Sequence, residues 1–202
     1  MPESLVNIFK PLGPAPIQDP FDGRLNQANP LGSGIAAGAI NSIAMKQDSI
    51  TKSGWLYAGS VNGGVWGSKY NGTTDTWESW QFLSNTSSYK GAQSIGKLQI
   101  TENQKWLIAG KGNPSNYAGV SGNIGYPLQV AEIQADGTLK WLEFGPATQT
   151  SIFDAKITAI ETVGELLIIG TFGKGLHISS LDATGQLQTV SAANLGEAAT
   201  IA

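Results

Sequence analysis

Three segments of the chain share one apolar motif that ends in glycine: 55–60 (WLYAGS), 106–111 (WLIAGK) and 166–171 (LLIIGT). Their glycines, Gly59, Gly110 and Gly170, lie 51 and 60 residues apart. An apolar segment precedes each copy, at 39–45 (AINSIAM), 94–100 (SIGKLQI) and 156–163 (KITAIETV). A third follows each, at 63–70 (GGVWGSKY), 127–133 (PLQVAEI) and 175–181 (GLHISSL). Turn residues come next (NGTTDT, ADG and DATG), and then closing segments at 77–80 (WESW), 141–144 (WLEF) and 187–190 (LQTV). A repeat of this length is one supersecondary unit that buries its apolar faces only by stacking on its neighbours.

Each unit reads as four short strands bounded by Gly, Asn and Asp turns. The second strand is apolar at consecutive positions, as expected where both faces of a sheet are covered. The outer strands alternate: Leu128 and Val130 share a face and Gln129 points the other way. No helical periodicity competes, and 26 glycines in 202 residues oppose helices. The expected class is all-β. Four-stranded units of this size, covered on both faces, fit the blades of a β-propeller or partial propeller better than a sandwich or a solenoid.

The segment 9–12 (FKPL) aligns with WESW and WLEF, and Gly13-Pro14-Ala15 aligns with Gly145-Pro146-Ala147. This places a lone fourth-type strand before the first complete blade. The expected organisation is a strand and long connector at 1–38, blades at 39–83, 91–145 and 154–192, and a tail at 193–202. About three blades and one strand do not close a ring, since propellers have about 4–8 blades. Either the chain is part of a larger ring, or a protein partner or its own copies complete it, because open strand edges invite pairing.

Composition removes several functions. No cysteine is present, so disulfide scaffolds, CxxC redox sites and thiolate metal sites are excluded. One arginine and a net charge of −3 leave no patch able to neutralise phosphates, so no nucleic-acid partner is expected. No apolar run approaches the roughly 20 residues of a membrane helix, and no membrane insertion is expected. The N-terminus lacks the basic start and apolar run of a signal peptide. The Gly, Asn, Ser and Thr bias nevertheless has the character of bacterial exoproteins, and an extracellular or cell-surface location is the expectation.

The segment 61–77 (VNGGVWGSKYNGTTDTW) resembles the blade core of sialidase/sortilin-like, Asp-box repeats. The segments 9–17 (FKPLGPAPI) and 34–45 (GIAAGAINSIAM) resemble the opening of large bacterial and cyanobacterial propeller exoproteins. The resemblance covers about residues 9–83 directly and 91–190 through the internal repeat. It implies a propeller fold. The box is stretched: Tyr70 stands where the aspartate would follow Ser68, and Asp75 lies beyond Gly72. Such boxes are peripheral turns, so no catalytic residue transfers from them. A sialidase of this class would need three arginines around its substrate carboxylate, and Arg24 is alone.

Other chemistry finds little purchase. Asp19, Asp22 and Asp154 read as turn formers rather than a glycosidase pair. His177 has no second histidine or cysteine to build a zinc site or a triad, and reads as a surface or inter-blade residue. The turns DATGQ and YNGTTDT carry oxygens but no calcium-loop series, so no metal is expected. No nucleotide-binding glycine motif is present, and no cofactor is expected. Trp55 and Trp106, like Trp77 and Trp141, occupy matching repeat positions and read as core.

Position in the repeat gives the one argument about binding. In an up-and-down sheet, first–second and third–fourth turns share a lower edge, while second–third turns and sheet-to-sheet connections share an upper edge. The long segments 13–38 and 112–126 both fall on the upper edge. Long loops on a rigid scaffold commonly carry binding residues, which selects Asp22, Arg24, Asn116, Tyr117 and Tyr126. The expected function is a non-catalytic binding or structural propeller module whose ligand class includes carbohydrate. The alternatives are the N-terminal part of a propeller glycoside hydrolase, or a module that completes its ring by self-association.

Overall fold

The computed structural model describes residues 17–18, 35–36, 40–61, 63–84, 94–112, 126–143, 149–189 and 191–192. The chain divides into two compact units, Met1–Gly38 and Ala39–Ala202. In the first, β1 (Ile17–Gln18) pairs antiparallel with β2 (Ile35–Ala36). The strand expected at 9–12 lies outside the described residues.

Among the described residues the second unit holds three antiparallel sheets in simple up-and-down order. Sheet one contains β3 (Ile40–Gln47), β4 (Gly54–Ser60) and β5 (Val65–Asn71), with β6 (Thr76–Trp77) and β7 (Gln81–Phe82) both paired to β5. Sheet two contains β8 (Ile95–Ile100), β9 (Trp106–Lys111), β10 (Leu128–Ile133) and β11 (Leu139–Trp141). Sheet three contains β12 (Lys156–Val163), β13 (Leu166–Phe172), β14 (Gly175–Ser180) and β15 (Ser191–Ala192). The first strands of successive sheets, β3, β8 and β12, lie against one another, and the sheets stack face to face. That arrangement is a partial β-propeller. Among the described residues no helix is long and apolar enough to cross a membrane.

The three second strands obey the repeat and differ only in what covers them. All six residues of β9 are buried, because sheets lie on both sides of it. In β13 only Leu167 and Ile169, on the face toward sheet two, are buried. Two cores result. One joins Trp55, Tyr57 and Val65 to Leu98, Leu107 and Trp141; the other joins Trp106, Ile108 and Leu128 to Ile157, Ile160 and Leu167.

Each first strand carries a β-bulge at one and the same place, opposite the glycine of the second strand. The extra residues are Asn41, Gly96 and Thr158, facing Gly59, Gly110 and Gly170. The two inner junctions are then built alike. Ile95 and Leu98 of sheet two pack onto Gly59, while Ile157 and Ile160 of sheet three pack onto Gly110. A Cβ at either glycine would collide with the incoming isoleucine. At the first junction Asn41 Nδ2 also donates to the Ile95 carbonyl (3.0 Å), and the Leu98 amide donates to Ser42 Oγ (2.9 Å).

A second glycine closes each junction at the lower edge. Gly137, in the turn before β11, lies on the indole of Trp55, and Gly185, in the turn after β14, lies on Trp106. Both have positive φ (82° and 79°), which a side chain resists for a reason independent of the tryptophan.

The fourth strands depart from the expected segments. Residues 77–80 are interrupted: β6 and β7 pair separately with β5, and the Glu78 amide between them donates to the Lys69 carbonyl. In sheet two the strand begins at Leu139, two residues before the expected segment, and beyond Trp141 the Leu142 amide donates to the Val130 carbonyl. In sheet three Leu187 makes a single-residue bridge to Leu181, and the paired strand is β15. Trp77 and Trp141 are consequently not equivalent. Trp77 pairs with Tyr70 and is half-buried, whereas Trp141 pairs with Ala131 and donates from Nε1 to the Leu83 carbonyl of sheet one (2.8 Å). Trp55, Trp106 and Trp141 are core; Trp77 is not.

Candidate functional site

The upper edge brings together three connections of sheets two and three. Tyr126 lies two residues before β10, and its ring meets that of Phe153 edge-on, at 5.9 Å and 77°. Phe153 follows a short 3-10 turn, Thr150–Ile152, in the connection from sheet two to sheet three, and is 39% exposed. Lys174, in the turn between β13 and β14, donates from Nζ to the Phe153 carbonyl. Of the residues selected from sequence, Tyr126 is in this cluster. Asp22, Arg24, Asn116 and Tyr117 lie outside the described residues.

At the ends of β9 and β10 the strands enclose a polar group that the repeat pattern alone does not reveal. Lys111 ends β9 fully buried, and its Nζ donates to Gln129 Oε1 at 3.1 Å. Gln129 Nε2 donates to the Leu142 carbonyl (3.4 Å). Gln149, also fully buried, receives the Leu128 amide and donates to the Leu128 carbonyl, both at 3.0 Å. Ser84 receives the matching Val65 amide in sheet one (2.9 Å), so each inter-sheet connection supplies the third strand with the partner its first amide lacks. Burial pushes the Lys111 ammonium down to about 8. The available signal was the residue after the repeat glycine: Ser60, Lys111 and Thr171 share that position, and Lys111 alone carries a charge there.

His177 is inter-blade, buried on the face of β14 shared with Ile169 and opposite to Leu176 and Ile178. Its Nε2 lies 2.6 Å from the Lys174 carbonyl, which places the proton on that nitrogen, and Nδ1 finds no partner among the described residues.

The lower edge carries acidic turns. Asp136 Oδ1 receives both the amide and the hydroxyl of Thr138 (2.9 and 2.6 Å). Asp182 Oδ1 receives the amide and hydroxyl of Thr184 and the amide of Gln186, while Oδ2 receives Gln188 Nε2. Asp48 Oδ1 receives the amides of Ile50 and Thr51. These bonds, to Thr138, Thr184 and Thr51 foremost, hold all three carboxyls below their ordinary range. The carboxylates are thus spent on turn geometry. Asp75, at the stretched box, receives the Tyr70 hydroxyl (2.6 Å), and Ser68 donates to the Glu78 carbonyl (2.7 Å). Ser179 repeats that last bond with Gln188 (2.8 Å). Ser68 is therefore a strand-to-strand tie. Matching clefts open at the two junctions, one of about 280 Å³ beside Lys105, Trp106 and Asp182, the other of about 210 Å³ beside Asp48, Trp55 and Lys69. Among the described residues no three His, Cys, Asp or Glu side chains gather as metal ligands would.

No protein-family model matches the chain, and no curated protein does. Solved structures similar to it include the β-propeller domain of Cps50 (Swd1) from Myceliophteria thermophila, 14% identical, with a TM-score of 0.46 over 90% of this chain and 49% of that one. The computationally designed Ika8 protein is 14% identical, with a TM-score of 0.40 over 74% of this chain and 35% of that one. The chain thus spans about half the length of the first.

Proposed function

We propose that the chain is a non-catalytic binding or structural module, working at the cell surface or outside the cell, with the upper edge as its contact face. The Tyr126–Phe153 pair carries this reading: two aromatic rings from different connections meet on a scaffold edge, anchored by Lys174. Exposed aromatic surface held by a rigid frame suits the apolar C–H face of a sugar ring, and carbohydrate is the proposed ligand class. The commitment of Asp48, Asp136 and Asp182 to turns supports a binding role over a hydrolytic one.

Retention on insoluble cellulose, chitin and peptidoglycan tests the reading. The expected result is retention on at least one of them, reduced about tenfold or more by Tyr126→Ala with Phe153→Ala. Retention unchanged by the double substitution, or release of reducing sugar by the chain, overturns it.

A further inference from the structure

We propose that two copies of this chain associate head to tail, the outer face of sheet one packing on the outer face of sheet three, to close a six-bladed ring. The inference goes beyond the carbohydrate reading and does not depend on it. It rests on the two inner junctions, which repeat one design residue for residue.

At each inner junction the first strand of the following sheet offers an apolar pair, Ile95 with Leu98 or Ile157 with Ile160, and the preceding sheet offers a glycine that receives it. The strand register assigns the same parts to the two outer faces. Ile40 and Ile43 of β3 stand at the positions of Ile95 and Leu98, and Ile43 is 65% exposed. Gly170 of β13 stands at the position of Gly59 and Gly110. Its surroundings differ from theirs: among the described residues, the nearest atoms a Cβ there would meet belong to Ala159 and Thr158 of its own sheet, at 3.2 Å and beyond, and not to an incoming isoleucine. One end of the stack carries the knobs of a junction, and the other carries its hole.

The surroundings agree. Leu128 and Val130 are fully buried at the second junction, whereas Leu176 and Ile178, their counterparts across β13, are half-buried and exposed. Leu166 stands where Trp55 and Trp106 are covered, and is 49% exposed. On the other outer face Met45 of β3 and Phe82 of β7 are exposed as well. Exposed apolar side chains grouped on a face mark it as a contact surface, and both ends carry such a group. Because the two faces differ, the contact is heterologous, and such contacts close when the rotations sum to a full turn. The three blades among each chain's described residues give six per pair, inside the range of about 4–8 that propellers adopt.

The test is the native mass of the 202-residue chain by light scattering, with two single substitutions and their mixture. The wild-type chain is expected at twice its 21.1 kDa. Ile43→Glu charges an exposed knob, and Gly170→Ala partly fills the hole; each is expected to shift the particle to single-chain mass with its circular dichroism unchanged. Mixing the two variants leaves one intact junction, knob from one chain and hole from the other, and is expected to restore the pair. A wild-type chain at 21.1 kDa at every concentration, as when further blades or another protein cover these faces, overturns the proposal. So does an open series of larger particles, survival of the pair in both variants, or failure of the mixture to associate.

Discussion

Gly59, Gly110 and Gly170 occupy one position of the repeat, yet their surroundings differ because, among the described residues, a following sheet packs onto the first two. Gly110→Ala is expected to cost about 1–3 kcal/mol, since its methyl group overpacks Ile157 in a closed core. Gly170→Ala is expected to lie within about 0.5 kcal/mol of wild type at single-chain mass, since exposed Ala159 can yield. Urea denaturation of both variants checks the contrast. Lys111 gives a pH dependence of its own. Its ammonium titrates near 8 when folded and near its ordinary 10.5 when unfolded, so over that interval the unfolded chain holds more protons and stability rises with pH. The slope is at most about 1.4 kcal/mol per unit. Above its ordinary value of 10.0, Tyr57 acts oppositely: burial, with the Asp136 charge adding, pushes its phenol up, so ionisation favours unfolding. Denaturation midpoints from pH 7 to 10 should rise in wild type, and Lys111→Met should flatten the rise.

At the scale of elements, the third–fourth turns decide how the sheets meet at the lower edge. Asp182 orders its turn through Thr184, Gln186 and Gln188, and that turn carries Gly185 onto Trp106. Asp182→Ala is expected to loosen the junction between sheets two and three, seen as earlier loss of amide-exchange protection in β9 and β14 than in β4. Its carboxyl, like those of Asp48 and Asp136, has a folded pKa depressed below 3.8. Their contribution is present above that value and disappears as pH falls through the folded pKa, so acid should open the lower-edge turns first. The fourth strands were the least legible elements. Trp77 and Trp141 match by composition, but β6 and β7 divide the pairing of β5, and spacing alone does not reveal where an edge strand breaks.

At the scale of the whole molecule, the repeat predicts stacking and the structure supplies its direction: each sheet sends an apolar pair forward onto the glycine of the sheet before it. A stack built this way has two unlike ends, which is why a head-to-tail contact needs no new kind of interface. The first three strands of each sheet, the glycines at the ends of the second strands, and the shared edge of Tyr126 with its neighbouring connections were all written in local pattern, because alternation and turn chemistry act over a few residues. Burial of Lys111 and Gln149, the tie from Trp141 to Leu83, and the exposure of Ile43 opposite an open Gly170 come from residues far apart in sequence. The amino-acid sequence by itself determined the blades and their order. Only the tertiary structure decided which glycines are filled, because a cavity and the side chain that fills it lie on different sheets.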